Sequence, residues 1–245
     1  MLRRAIPILP AIAVLATAAP AAAAPGRAVL AGCSKSVDVT QRSAVFQGSM
    51  RAVRGSVRMQ MRFTLQSRTR EDPVYRAVAA PGFGVWLTSD RGVGRYVYTK
   101  RVEQLLAPAA YRAVVRFRWL DARRHVIARA GRTTRACREP DPRPNLVVGE
   151  VIVEPEMGGA RYVALVQNTG RTDAPPFVLR FAAAGTPFAT VPVGGLAAHD
   201  STRVAVDRAV CAPGEAIAAE ADPDAVVDER RETDNVLETI CPAPS

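Results

Sequence analysis

The sequence predicts an all-β protein: two β-sandwich domains in tandem after a cleaved signal peptide. Three observations lead to this prediction. Apolar and polar residues alternate along several short runs, which is the period of a strand with one buried face. An apolar N-terminus and four cysteines indicate export and disulfide formation. A proline-rich segment divides the chain where its net charge changes sign.

The first segment, residues 1–23, is expected to be the signal peptide. Arg3 and Arg4 give it a positive start, an alanine-rich apolar run follows, and small residues at 21 and 23 suit cleavage after Ala23. No later stretch reaches the roughly 20 apolar residues that a membrane-spanning helix needs. The protein is therefore expected to be secreted or associated with the cell envelope.

The four cysteines are expected to form two disulfides. Three pairings are possible, and the positions favour Cys33 with Cys137 and Cys211 with Cys241, because each pair then lies within one domain. One alternative stays open. Leu30-Ala31-Gly32-Cys33 has the pattern that directs a lipid onto Cys33, although Arg27 interrupts the apolar stretch and a lipid would leave an odd number of cysteines.

A linker at residues 139–144 separates the two predicted domains, 24–138 and 145–245. Its three prolines alternate with other residues, which favours a short, extended segment. Residues 24–140 carry 23 Lys and Arg against 7 Asp and Glu, whereas residues 141–245 carry 8 against 16. A basic domain of net charge +16 is thus joined to an acidic domain of net charge −8.

The basic domain contains two clear alternating strands, one from Val57 to Gln66 and one from Tyr111 to Trp119. A partner strand is expected from His125 to Cys137. Leu106, Pro108 and Tyr111 stand at the head of the second strand with the spacing of the tyrosine corner, in which the phenol hydroxyl bonds to the upstream loop. This motif is typical of immunoglobulin-like β-sandwiches.

Arginines occupy the polar positions of these two strands and are candidate ligands for polyanions such as wall polymers, lipid headgroups or nucleic acid. They are Arg58, Arg62, Arg112, Arg116 and Arg118. The alternative is an ordinary solvated face, because the chain uses Arg at nearly every basic position and has lysine only at 35 and 100. Nucleic acid is disfavoured because no aromatic-interleaved patch or nucleic-acid motif accompanies the charge.

The acidic domain has short predicted strands and turns, and four blocks in it resemble a known family. They are Pro144-Asn145-Leu146-Val147-Val148, Val166-Gln167-Asn168-Thr169-Gly170, Gly195-Leu196-Ala197-Ala198 with Ser201-Thr202, and residues 227–235. In this order they resemble CARDB, the cell-adhesion-related domain found in bacteria, over residues 144–241. The resemblance implies an immunoglobulin-like fold, a place outside the bacterial cell, and a role in adhesion or substrate binding.

One loop of the acidic domain, residues 222–234, has an excess of carboxylates, and we call it the acidic loop. Its candidate calcium ligands are Asp222, Asp224, Asp228, Glu232 and Asp234. Clustered carboxylate oxygens suit Ca²⁺, although the glycine and the ligand spacing of an EF-hand are missing. The alternative is a solvated turn whose acids cap the backbone or pair with arginines. Apart from this calcium, no cofactor is expected.

No motif for catalysis is present, and the protein is expected not to be an enzyme. His125 and His199 lack a nucleophile or an orienting acid beside them in the sequence, and no Gly-x-Ser-x-Gly, His-Glu-x-x-His or phosphate-loop motif occurs. A carboxylate pair for glycoside cleavage stays open, because such pairs meet in space.

The sequence therefore favours an exported, non-enzymatic binding or adhesion-type protein of the cell envelope or extracellular space. Its expected partner is an envelope polymer, a glycan or a surface protein. The alternative is a structural or accessory spacer that self-associates, with the basic half of one molecule on the acidic half of the next.

Overall fold

The computed structural model describes residues 26–243, and the regular secondary structure in this range is almost entirely β-strand. The predicted signal peptide, residues 1–23, lies outside the described residues. Within residues 26–243 the only helical segment is a short 3-10 turn, Val39–Gln41. No helix in this described part is long and apolar enough to cross a membrane.

Residues 26–139 form an N-terminal domain of two antiparallel sheets. The strands in this described range are β1 (Gly26–Ser34), β2 (Ser43–Arg51), β3 (Arg58–Arg68), β4 (Arg76–Ala77), β5 (Trp86–Thr88), β6 (Arg95–Glu103), β7 (Ala109–Leu120), β8 (Val126–Thr133) and β9 (Cys137–Glu139). One sheet has the order β1-β2-β6. The larger sheet has the order β4-β3-β7-β8, with β5 also paired to β3 and β9 to β7.

The core of the N-terminal domain lies between these two sheets. It contains the apolar rows that the alternation predicts on β3 and β7, including Met61, Phe63, Phe117 and Trp119, all of which are fully buried. The indole Nε1 of Trp119 donates a 2.6 Å hydrogen bond to the carbonyl of Arg51 on the opposite sheet. The return strand is shorter than predicted: β8 ends at Thr133, and β9 pairs separately with the start of β7.

The second set of strands, residues 146–240, forms a C-terminal domain with its own core. Its strands are β10 (Leu146–Glu156), β11 (Gly159–Asn168), β12 (Phe177–Ala183), β13 (Thr186–Val193), β14 (Ser201–Arg208), β15 (Ala216–Ala221) and β16 (Val236–Ile240). They form sheets of order β10-β11-β14 and β13-β12-β15-β16. Tyr162, Leu179, Phe181 and Ile217 are among the most deeply buried side chains between them. The chain is thus two β-sandwiches in tandem.

Each domain is closed by one disulfide. Cys33 on β1 bonds to Cys137 on β9, and Cys211 bonds to Cys241, with Cα atoms 5.5 Å and 6.1 Å apart. This is the pairing that the sequence favours. Because the sulfur of Cys33 is held in a disulfide, the structure favours the bridge over the lipid alternative.

The linker is extended, and its backbone is bound to the C-terminal domain. Three linker carbonyls accept hydrogen bonds: Pro142 from Thr172 Oγ1 at 2.9 Å, Arg143 from the Arg171 amide at 3.2 Å, and Pro144 from the Arg230 amide at 2.9 Å. The guanidinium of Arg143 also binds Asp141 at 2.8 Å and Asp228 at 2.7 Å. The segment is therefore fixed by contacts as well as by its prolines.

Candidate functional site

The five predicted polyanion-binding arginines lie on one surface, the outward side of the larger N-terminal sheet. We call this surface, formed by β3, β4, β5, β7 and β8, the arginine face. Arg62 on β3 lies directly opposite Arg116 on β7, and Arg118 lies opposite Arg129 on β8. The remaining members, Arg58 and Arg112, stand at outward positions of β3 and β7. Alternation along both strands places all of them on one side.

Two aromatic side chains lie among these arginines. The guanidinium carbons of Arg118 and Arg62 lie 3.3 Å and 5.0 Å from the centre of the Trp86 ring. Those of Arg112 and Arg68 lie 3.8 Å and 4.8 Å from the centre of the Tyr75 ring. The expectation that no aromatic-interleaved patch accompanies the charge is wrong. Trp86 lies on β5, a strand of three residues, and Tyr75 lies just before β4, a strand of two residues. Strands this short show no alternation in the sequence.

The arginine face carries no acidic residue at its outward positions. These positions on β3, β5, β7 and β8 hold arginine, neutral polar residues and glycine, together with Trp86 and small or aliphatic residues such as Ala110 and Leu120. In residues 26–139 of the described chain the ion pairs are Arg76–Asp72, Arg101–Glu103 and His125–Asp121, none of which involves a predicted arginine. The buried Nε atoms of Arg62 and Arg118 have no hydrogen-bond partner among residues 26–243. The positive charge of this face is thus uncompensated within its own domain.

Burial and the neighbouring arginines both affect the pKa of Arg118. Burial, followed by the charges of Arg62 and Arg129, lowers the pKa of Arg118 from its ordinary value. The guanidinium stays protonated, because arginine does not lose its proton in proteins. A groove of about 310 Å³ opens beside it, lined by Trp86, Arg116, Arg118, Arg129 and Gly131 among others. A second groove of about 340 Å³ lies along Arg58, Gln60 and Thr88.

The predicted calcium ligands of the acidic loop are engaged in separate interactions. The contacts are Asp222 with the Val226 and Val227 amides at 3.1 and 2.8 Å, Asp228 with Arg143 at 2.7 Å, Glu232 with the Glu229 amide at 3.1 Å, and Asp234 with Arg231 and Asn145 at 3.3 Å each. Asp224 is exposed. The loop is therefore held by capping bonds and ion pairs, as in the solvated-turn alternative.

The acidic loop does not gather three of its carboxylates around one point. Within the described residues, the one group of three potential ligands that converges is Cys33, Cys137 and Glu139, and both of its cysteines are in a disulfide. Calcium at the loop stays a prediction. A rise of Tm in millimolar calcium is its expected sign, and an unchanged Tm would contradict it.

A carboxyl outside the predicted set, that of Glu229, lies at the centre of this region. It is 2% exposed, accepts a hydrogen bond from the amide of Leu146 at the start of β10, and accepts one of 2.8 Å from Asn235 Nδ2. Burial is the main reason why the pKa of Glu229 rises to about 7, with Glu232 and Asp222 adding negative charge nearby. Glu229 thus ties the first strand of the C-terminal domain to the acidic loop.

The remaining sequence-predicted residues are placed as follows. Tyr111 is buried, and its hydroxyl donates a 3.1 Å hydrogen bond to the carbonyl of Leu106, across Pro108. This is the contact of a tyrosine corner. His125 lies on an exposed turn beside Asp121, and His199 lies on an exposed turn of the other domain.

The linker, the Asn168–Gly170 turn and the acidic loop meet at one end of the C-terminal domain, and all four family blocks reach this end. Residues 143–239 match the CARDB family model. The CARDB resemblance of the C-terminal half is thus confirmed, and we call residues 143–239 the CARDB region. No curated protein matches the chain.

Solved structures similar to the chain include CARDB domains. A crystal structure of the CARDB domain of a Pyrococcus furiosus protein, in complex with di-metal ions, is 24% identical, with a TM-score of 0.36; the match covers 41% of this chain and 88% of that one. A domain of an inferred cell surface protein from Methanosarcina acetivorans is also 24% identical, with a TM-score of 0.38 and coverages of 41% and 92%. Red sea bream transglutaminase is 10% identical, with a TM-score of 0.34 and coverages of 89% and 31%.

Proposed function

We propose that the protein is an exported, non-enzymatic binding protein of adhesion type that acts at the cell envelope or in the extracellular space. The match of residues 143–239 to CARDB, a family named for cell adhesion, carries this proposal. Two disulfides support a location outside the cytoplasm, because reducing conditions inside cells keep most thiols unpaired. The partner is an envelope polymer, a glycan or a surface protein.

Retention on isolated envelopes tests this proposal. The full mature protein is incubated with envelopes from the producing cells, washed, and compared with protein incubated without envelopes. We expect it to sediment with the envelopes, and cell fractionation should place the native protein outside the cytoplasm. A protein that stays in the supernatant of the binding assay, or that fractionates with the cytoplasm, would refute the proposal.

Charge separation between the domains supports the second candidate, a spacer that self-associates through its basic and acidic halves. Static light scattering distinguishes it from the first. Oligomers at low salt that dissociate at high salt would favour the spacer, because screening weakens contacts between exposed charges. A monomer at both salt concentrations would favour the binding protein.

A further inference from the structure

We propose that the arginine face binds an anionic polymer of the cell surface, a linear chain of sugar or polyol units that carries phosphate or carboxylate groups. Its centre is formed by Arg116, Arg118 and Arg129 around Trp86. The inference rests on the proposed function and adds the surface and the chemistry of the ligand to it.

The first reason is the electrostatic arrangement of the face. Arg62 lies directly opposite Arg116, and Arg118 directly opposite Arg129, so two neighbouring cross-strand pairs bring like charges together. Like charges in this position destabilise a sheet, and the stacks of Arg62 and Arg118 on Trp86 do not neutralise their charge. An oxyanion between the guanidinium groups would remove the repulsion. The arginine fork binds the paired oxygens of phosphate and carboxylate groups with two parallel hydrogen bonds.

The shape of the face favours a polymer. Its two grooves, of about 310 and 340 Å³, are open and lie on the same sheet surface instead of forming one enclosed pocket. Along β3 the basic positions run from Arg58 to Arg68, a length of about 33 Å at the usual rise of a strand. A small ligand would occupy only a fraction of this length. A linear polymer can contact several arginines at once and gain affinity from each.

The aromatic residues argue against nucleic acid as the ligand. Proteins that bind single strands stack the bases on exposed aromatic rings. Here the rings of Trp86 and Tyr75 each have two guanidinium groups within 5.0 Å of their centres, so a base would have to compete with them. A ligand bound by its charged groups alone leaves these stacks intact.

The acidic domain of a second copy is a poorer occupant of the face. Several of its carboxylates already have arginine partners in their own domain or linker: Asp141 and Asp228 with Arg143, Glu150 with Arg203, Asp207 with Arg161, Glu220 with Arg180, and Asp234 with Arg231. The arginine face has no such partners. Exposed acids outside these pairs, such as Glu154 and Asp224, keep a second copy among the outcomes of the test.

Binding to two purified polymers tests the inference, with poly(glycerol phosphate) and polygalacturonate as the phosphate and carboxylate probes. The mature protein is compared with the triple variant Arg116→Gln, Arg118→Gln, Arg129→Gln. The matched control removes three exposed arginines from the other sheet: Arg27→Gln, Arg51→Gln and Arg95→Gln. We expect the face variant to bind at least one probe about tenfold more weakly, with a salt dependence reduced by about 2 in logarithmic slope, and the control to change less than about threefold.

Four results would overturn the inference. Equal losses in both variants would show that net charge alone attracts the polymer, and no loss in the face variant would show that the polymer binds elsewhere. Tighter binding of a single-stranded oligonucleotide through the same arginines would make nucleic acid the ligand. A low-salt dimer that the face variant abolishes would make a second copy the occupant.

A second variant protects the test against misfolding. Arg129 is exposed on β8 and belongs to neither aromatic stack, so Arg129→Glu should leave the fold intact, which circular dichroism checks. We expect about tenfold weaker polymer binding, against little change for Arg95→Glu on the other sheet. Unchanged binding of a folded Arg129→Glu protein would contradict the inference.

The same variants separate this inference from the proposed function. If wild type and face variant are retained equally on envelopes, the inference fails while the proposed function stands. If wild type binds a purified polymer but is not retained on envelopes, the inference stands and the proposed function fails.

Discussion

Glu229 shows how one buried carboxyl makes the C-terminal domain sensitive to pH. Its pKa rises from the ordinary 4.5 to about 7, chiefly because burial disfavours the charged form. A carboxyl with a raised pKa stabilises the fold while it is protonated. That contribution is complete below pH 4.5 and is lost as the pH rises through 7, because the unfolded chain then releases its proton more easily than the folded protein does.

The substitution Glu229→Gln tests this behaviour. Glutamine keeps the size of the side chain and cannot ionise. If the side-chain amide of Asn235 flips, its unpartnered Oδ1 can accept a hydrogen bond from the new glutamine side chain. We expect the stability of wild type relative to this variant to fall by about 2 kcal/mol between pH 5 and pH 8. Chemical unfolding at both pH values measures it. Glu238→Gln, on the exposed side of β16, should show no comparable change.

At the scale of elements, the Asn168–Gly170 turn binds the linker to the rest of the C-terminal domain. Asn168 is buried, accepts bonds from the Asn145 and Gly170 amides, and donates to the carbonyls of Thr172 and Leu196 at 2.9 and 3.0 Å. Its side chain thus satisfies four backbone groups where strands end. A Cβ on Gly170 would lie 2.3 Å from Pro144 Cα, so only glycine allows the linker to pass this closely.

We therefore expect Gly170→Ala to destabilise the C-terminal domain by about 3 kcal/mol or more, since the clash is with backbone that cannot rotate away. Gly194→Ala is the control, because a Cβ there meets nothing within 4 Å and the backbone needs no left-handed conformation. Thermal melting of both variants measures this difference in stability. Similar Tm values for the two would show that the linker can move aside.

The two disulfides stabilise their domains by different amounts. Cys33–Cys137 closes a sequence separation of 104 residues and Cys211–Cys241 one of 30. In the chain-entropy model the longer loop is worth about 5 kcal/mol and the shorter about 4 kcal/mol. We expect replacing both cysteines of the first pair by alanine to cost about 1 kcal/mol more than the same change in the second, measured by urea unfolding of each domain. A larger cost for the second pair would contradict this order.

At the scale of the whole molecule, the sequence predicts the architecture better than the surfaces. Alternation identifies β3 and β7 because each strand buries one side only, and the family blocks identify the CARDB region because they supply its turns and linker contacts. The stacks around Trp86 and Tyr75 depend on the register between segments far apart in the chain. Likewise, acids close together in sequence point in different directions, so local density does not reveal that Asp222 and Glu229 are the buried ones.

The linker between the two domains is held in part by ion pairs. Arg143 joins it to the acidic loop through Asp141 and Asp228. Partial burial raises the pKa of Asp141, but the hydrogen bonds from Arg143 outweigh burial and the net effect lowers the pKa. This contribution to stability is therefore present above the ordinary value of 3.8 and is lost as the pH falls below it.

We expect Arg143→Ala to loosen the linker without unfolding either domain, because the cores of both domains lie away from it. Hydrogen exchange is the direct measurement, since the amides of Arg171 and Arg230 donate to linker carbonyls. Both amides should exchange severalfold faster in the variant at neutral pH, while amides within β11 keep their protection. Arg161→Ala, which removes an exposed ion pair with Asp207 at 3.9 Å, should leave the two amides unchanged. If Arg143→Ala also leaves them unchanged, the prolines and the backbone bonds alone hold the linker, and the ion pairs of Arg143 add nothing to it.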